Sequence, residues 1–131
     1  MKKDIEIPVD ENVFVAAVKE SNGELLAENW YVYVINARHT YIETVIVVSK
    51  GYGDAAKTST IRRSIEIMPA RSFQKIELLP ENLLALENEF FITFFADGKL
   101  YERKCVFKAN SISDARSVNI PVLEQDGVWA Y

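Results

Sequence analysis

The run FFITFFADGKLYERKCVF, residues 90–107, constrains the fold of this chain more than any other stretch. Asp97-Gly98 stands between two segments of alternating polarity, the strongest short-range signature of a β-hairpin closed by a type I′ turn. Both central residues of such a turn take positive φ, which glycine adopts freely and aspartate more readily than most residues. A two-residue loop also sets the register, placing Ala96 opposite Lys99, Phe95 opposite Leu100 and Phe94 opposite Tyr101. One face of the hairpin then carries Phe90, Ile92, Phe94, Tyr101, Cys105 and Phe107. The other carries Phe91, Phe95, Leu100 and Val106 among Thr93, Glu102 and Lys104. A hairpin in a two-layer sandwich buries one face and solvates the other. Here the second face is partly apolar too, so it is either covered by another segment (residues 80–88 or a terminus) or open to a partner.

β signals run through the rest of the chain. Ile5, Ile7 and Val9 alternate, with Pro8 confining that strand to an edge or an end. VFVAAV at 13–18 is a short apolar strand ended by Ser21-Asn22-Gly23. ENWYVYVIN sets Trp30, Val32 and Val34 against Tyr31, Tyr33 and Ile35, β-branched and aromatic throughout. Asn36 to Thr40 reads as a loop, Tyr41 to Ser49 as a central strand, and Lys50 to Thr58 as a long polar connection. STIRRSIEIM alternates through Ile61, Arg63, Ile65 and Ile67 and stops at Pro69. SFQKIELL alternates through Phe73, Lys75, Glu77 and Leu79. PENLLALEN supplies the one helical turn, with Pro80 suited to its first position. SVNIPVL is a last strand, and Asp126-Gly127 signals a small hairpin into VWAY. These 7–9 short strands with almost no helix predict an all-β, antiparallel sandwich spanning residues 1–131 as one domain.

A chain of 131 residues buries enough surface to be stable without disulfides or metals. The two lysines of MKKDIEIPVDEN are not followed by an apolar region, so no secretory signal is expected. No apolar run approaches a membrane span. Cytoplasmic location is the expectation, and Cys105, the single cysteine, reads as a small core hydrophobe.

Net charge is −4, but its distribution is uneven: residues 50–71 hold Lys50, Lys57, Arg62, Arg63 and Arg71 against Asp54 and Glu66. GYGDAAKTST mimics a phosphate-binding loop, with Ala56 where the second glycine belongs. Such a loop works because a helix starts at its lysine. Here a β-branched, period-2 run follows, so that reading is set aside. Lys50, Gly51, Tyr52, Gly53, Lys57, Arg62 and Arg63 remain a candidate loop for an anion or an acidic partner segment, with Tyr52 as an aromatic anchor. Phe91, Phe95, Leu100 and Val106 form the other candidate, an apolar interface. Tyr31, Tyr33, Tyr41 and Tyr52 with Arg38 resemble a stacking platform for single strands. The acidic pI of about 5.1 weighs against nucleic acid. His39 with Glu43 or Asp54 is not a metal-ligand set. No catalytic constellation, cofactor or metal is assigned.

The strand order, NWYVYVIN and the size resemble an immunoglobulin-like or fibronectin type III-like sandwich, without the cysteine pair of antibody domains. Trp30 takes the place of the core tryptophan such sandwiches often carry. NWYVYVIN, SKGYG and KTSTIRR are also similar to small uncharacterised bacterial proteins of this kind. The resemblance implies the fold alone, because sandwiches host many activities. Two functions stay open: a non-catalytic module for protein–protein association, with itself or a foreign protein, and an anion- or nucleic-acid-binding domain using the 50–63 loop.

Overall fold

The computed structural model describes residues 10–21, 28–53 and 60–131. The strand expected at Ile5 to Val9, the turn at Asn22-Gly23 and Lys57 lie outside the described residues. In chain order the elements are β1 (Val13–Ser21), β2 (Glu28–Asn36), β3 (Ile42–Tyr52), β4 (Ile61–Met68) and β5 (Ser72–Leu79). They continue with α1 (Glu81–Leu84), β6 (Glu87–Ala96), β7 (Lys99–Phe107), a 3-10 turn at Asp114–Arg116, β8 (Val118–Ile120) and β9 (Gln125–Trp129). Sheet I has the order β5-β2-β1-β9-β8 and sheet II the order β4-β3-β6-β7. Every strand pair is antiparallel. The expected β-sandwich is thus observed. β1, β2 and β5 share one sheet while β3, β6 and β7 share the other, the connectivity of an immunoglobulin-like sandwich whose fourth strand has joined the second sheet.

The β6–β7 hairpin has the register its turn dictates, from Ala96 opposite Lys99 to Asn88 opposite Phe107. Asp97 and Gly98 take φ of 53° and 74°, the paired positive values of a type I′ turn. Phe90, Ile92, Phe94, Cys105 and Phe107 consequently point between the sheets and are buried. They meet Val13, Val15, Ala17, Trp30, Val32 and Val34 from sheet I. Phe90 and Phe107 contact edge to face at 5.8 Å, and Phe94 stacks on Tyr101 at 5.2 Å. Leu83 and Leu84 of α1 close one end of this core. Pro80 is the N-cap of α1 rather than its first helical residue.

Sheet I is covered on its outer face as well. Phe14, Ala16, Val18, Tyr33 and Ile35 pack under Ile120 and Leu123, and Phe14 meets Trp129 at 4.3 Å between ring centroids. That second cluster explains why VFVAAV is a continuous apolar run instead of an alternating one: a strand buried on both faces has no polar side.

Two features correct the sequence reading. Asp126-Gly127 is not a turn; both residues lie inside β9, and the turn is made by residues 121–124, where Val122 and Glu124 take φ of 72° and 55°. Gly127 is needed for close approach: a Cβ there would stand 2.6 Å from the Ala17 carbonyl oxygen and 3.0 Å from Val18 Cγ2. The alternation expected in β5 also fails. The register shifts between Val32 and Tyr33, so Val32 faces Glu77 and Tyr33 faces Lys75, with Ile76 as an extra buried residue. A bulge of this kind turns two consecutive residues, Ile76 and Glu77, toward the interior.

One flank of the sandwich is stitched shut. Beyond β9, the Ala130 N–H donates to Val15 O at 3.2 Å, and the Tyr131 N–H donates to Val106 O of β7 at 2.8 Å. Arg103, inward on β7 opposite Ile92, donates from Nη1 to the carbonyls of Glu11 and Val13 at 3.0 Å each. On the opposite flank, β4 and β5 each have one hydrogen-bonded neighbour among the described strands.

Gly127→Ala must displace β9 from β1 or strain both, as overpacking does at a cost of about 1–3 kcal/mol. Urea unfolding of wild type and variant measures this; an unchanged midpoint would contradict the close-approach explanation.

Candidate functional site

The outer face of sheet II follows from the same period-2 rule that buries its inner face. Reading across the strands, Val48, Phe91 and Lys104 form one row, Ile46, Thr93 and Glu102 the next, and Ile67, Glu43, Phe95 and Leu100 a third. On the other side of the first row lie Lys50, Glu89 and Val106. Phe95 is 40 % exposed, Leu100 39 % and Ile67 53 %. Phe91 and Val106 are half-buried. Lys50 and Lys104 hold their ammonium groups over the Phe91 ring, each 5.5 Å from its centroid, so two lysine stems cover that ring. Lys104 also reaches Glu89 at 3.5 Å. The segment at 80–88 does not cover this face; α1 packs its leucines on the inner core instead.

The long edges of β4 and β5 carry a different feature. Arg63 is opposite Val47 and points inward from β4, while Glu77 is opposite Val32 and points inward from β5. Inward-pointing charges on edge strands oppose the addition of a foreign strand. Glu77 Oε1 accepts a hydrogen bond from the Ser49 hydroxyl at 2.7 Å. Burial raises the Glu77 pKa, and the Ser49 hydrogen bond and the Arg63 charge oppose that rise without cancelling it. The free edge of sheet I at β8 is only three residues long, too short to template another strand.

The basic segment does not converge on one point among the described residues. β3 extends through Tyr52, which pairs with Glu87 and is half-buried, so Tyr52 is a strand residue rather than a loop tip. Gly51 is buried and Gly53 exposed. Lys50 lies over Phe91, Arg62 is opposite Val48 on the outer face, and Arg63, opposite Val47 on the inner side of the edge strand β4, is exposed to solvent. The tyrosines are dispersed as well. Tyr31 and Tyr33 sit on the outer face of sheet I beneath the Lys75 ammonium, at 4.2 and 5.8 Å, and Lys75 is itself paired with Glu20 at 2.7 Å.

The loop end near the β6–β7 turn is internally bonded apart from Arg38 Nε, which is buried without a hydrogen-bond partner. The buried Asn36 amide donates to the carbonyls of Thr40, Met68 and Pro69 at 3.1, 3.3 and 2.9 Å, and its Oδ1 accepts the Arg38 N–H at 3.0 Å. The Arg38 guanidinium bonds Asp10 and, at 2.6 Å, Asp97, and lies 5.6 Å from the Tyr101 centroid. The cleft of about 470 Å³ beside it, lined by His39, Tyr41, Glu43 and Asp97 among others, therefore faces an aspartate already engaged. No group of three or more metal-ligating side chains occurs among the described residues. Cys105 is fully buried, and burial pushes its thiol pKa up, away from the reactive thiolate.

Sequence periodicity located the outer face of sheet II but missed Ser49 and Glu77, because the bulge that turns Glu77 inward has no local signature. Since the folded pKa of Glu77 is raised, its contribution to stability is fully present below the unfolded carboxylate value and is lost as pH rises through the folded one. Glu77→Gln is therefore expected to be more stable than wild type at neutral pH, with the difference shrinking toward pH 4. Thermal melts across that range check the sign; a variant less stable at neutral pH would show that the Arg63 and Ser49 contacts outweigh burial.

Comparison with family models, with curated proteins and with solved structures finds no match for this chain.

Proposed function

We propose that the chain is a non-catalytic association module whose contact surface is the outer face of sheet II. The observation that carries this reading is the exposure of Phe95 and Leu100 side by side on adjacent strands, with Ile67 exposed on the same row. Neighbouring exposed apolar side chains rimmed by charge mark interaction surfaces, whereas single exposed ones do not. Glu102 and Lys104 supply the rim, and Glu43 stands between Ile67 and Phe95. The aromatic surface on sheet I is in part occupied by its own chain, through the β8–β9 connection and through Lys75 over Tyr31 and Tyr33, and its exposed Phe73 and Leu78 stand five positions apart on β5. The blocked edges of β4 and β5 favour contact through a face over contact by added strands.

No helix among the described residues is long and apolar enough to cross a membrane. The single buried thiol of Cys105 fits a reducing, cytoplasmic compartment.

Site-specific photo-crosslinking in cells expressing the chain tests the surface. A photoreactive phenylalanine analogue at position 95 is expected to give protein adducts, while the same group at position 73, equally exposed on sheet I, gives none. Equal adducts at both positions, or none at position 95, would overturn the assignment of this face.

A further inference from the structure

The charges on the outer face of sheet II are arranged in two halves. Lys50, Arg62 and Lys104 occupy the half around Phe91, while Glu43 and Glu102 occupy the half around Phe95 and Leu100. Glu89 offsets part of the basic half through its contact with Lys104 at 3.5 Å. Glu43 and Glu102 have no ion-pair partner among the described residues. A face that is basic at one end and acidic at the other is complementary to itself when one copy is reversed along the strands.

Resting on the association reading above, we infer that the partner of this face is a second copy of the same chain, packed face to face with its strands antiparallel. The register fixes where the two-fold axis runs. An axis lying across the strands, midway between the Phe91 and Thr93 rows, exchanges each row with its counterpart in the copy. It sets Lys104 against the copy's Glu102 along β7, and Lys50 against the copy's Glu43 along β3. The same operation brings Val106 over the copy's Leu100, and Glu89, already held by Lys104, beside the copy's Phe95. A two-fold axis running along the strands, between β3 and β6, would instead set Arg62 against the copy's Lys104 and leave Glu43 and Glu102 with no cation opposite them. Isologous contact of this kind closes at the dimer and leaves no free copy of the face.

The size of the face sets the expected strength. Four strands about 4.8 Å apart and about eight residues long at ~3.3 Å each present roughly 500 Å² in projection. That is near the lower end of specific interfaces, so the dimer is expected to form in the micromolar range.

The experiment is sedimentation velocity from about 1 to 500 μM, spanning the affinity expected for an interface of this size, on wild type and two charge variants. One variant, Lys50→Glu with Lys104→Glu, has a mostly acidic face that keeps Arg62. The other, Glu43→Lys with Glu102→Lys, has a mostly basic one that keeps Glu89. Each variant alone is expected to associate at least about tenfold more weakly than wild type, and their equimolar mixture to recover association as a heterodimer. Thermal melts confirm that both remain folded, and Phe95→Ser provides a charge-neutral variant that must also weaken the dimer. A wild type that stays monomeric throughout, or charge variants that self-associate as wild type does, would overturn self-pairing. Foreign adducts at position 95 alongside a monomeric wild type would leave the association surface standing and remove only the second copy; no adducts at position 95 would remove both.

Discussion

The assignment of every side chain on sheet II depends on the two consecutive positive φ values at Asp97 and Gly98. Strand side chains alternate with a period of two, so a slip of one residue would turn Phe90, Ile92 and Phe94 out to solvent. The turn forbids that slip, and Arg38 holds it in place by binding Asp97 while lying over Tyr101 across the hairpin. Because β3 pairs with β6, the register passes inward from the hairpin to Val47 opposite Ile92 and Val48 opposite Phe91. The buried core and the exposed apolar face are therefore two consequences of one backbone conformation.

That hairpin was legible because turn chemistry and alternation agree in the sequence. The β3–β4 pairing and α1 were legible for similar reasons: β-branched periodicity in the first, Pro80 followed by leucines in the second. Contacts between distant segments were not. Asp126-Gly127 has the composition of a hairpin turn, yet Gly127 serves the approach of β9 to the Ala17 carbonyl, a requirement set by a strand over a hundred residues earlier. The bulge at Ile76 likewise arises in pairing with β2, and nothing in SFQKIELL announces it. Lys50, Tyr52, Arg62 and Arg63 look like one basic loop when read along the chain. The pairing of β3 with β4 leaves Lys50, Tyr52 and Arg62 on the outer face and turns Arg63 to the other, because successive residues on a strand face opposite ways. The apolar candidate has its four residues on one face, whereas the described residues of the basic one are divided between two.

A sandwich has faces and edges through which to meet other chains, and this one treats them differently. Its stitched flank is tied at Val106 by Tyr131 and by Arg103 reaching to the start of β1. Its open flank presents Arg63 and Glu77 turned inward, a placement that discourages uncontrolled strand addition. The outer face of sheet I is covered by Ile120 and Leu123 over β1 and β2, leaving Phe73 and Leu78 exposed but apart on the edge strand β5. What remains is the outer face of sheet II, where apolar groups stay in contact with water beside charges that lie on it in opposite halves.

The most direct test of this account is a dilution series of amide nitrogen–proton correlation spectra on isotopically labelled wild-type protein. The account predicts concentration-dependent shifts confined to β3, β6 and β7 around Phe91, Thr93, Phe95 and Leu100, with β2 and β5 unmoved. Spectra independent of concentration, or shifts centred on Tyr31, Phe73 and Lys75 of sheet I, would contradict it.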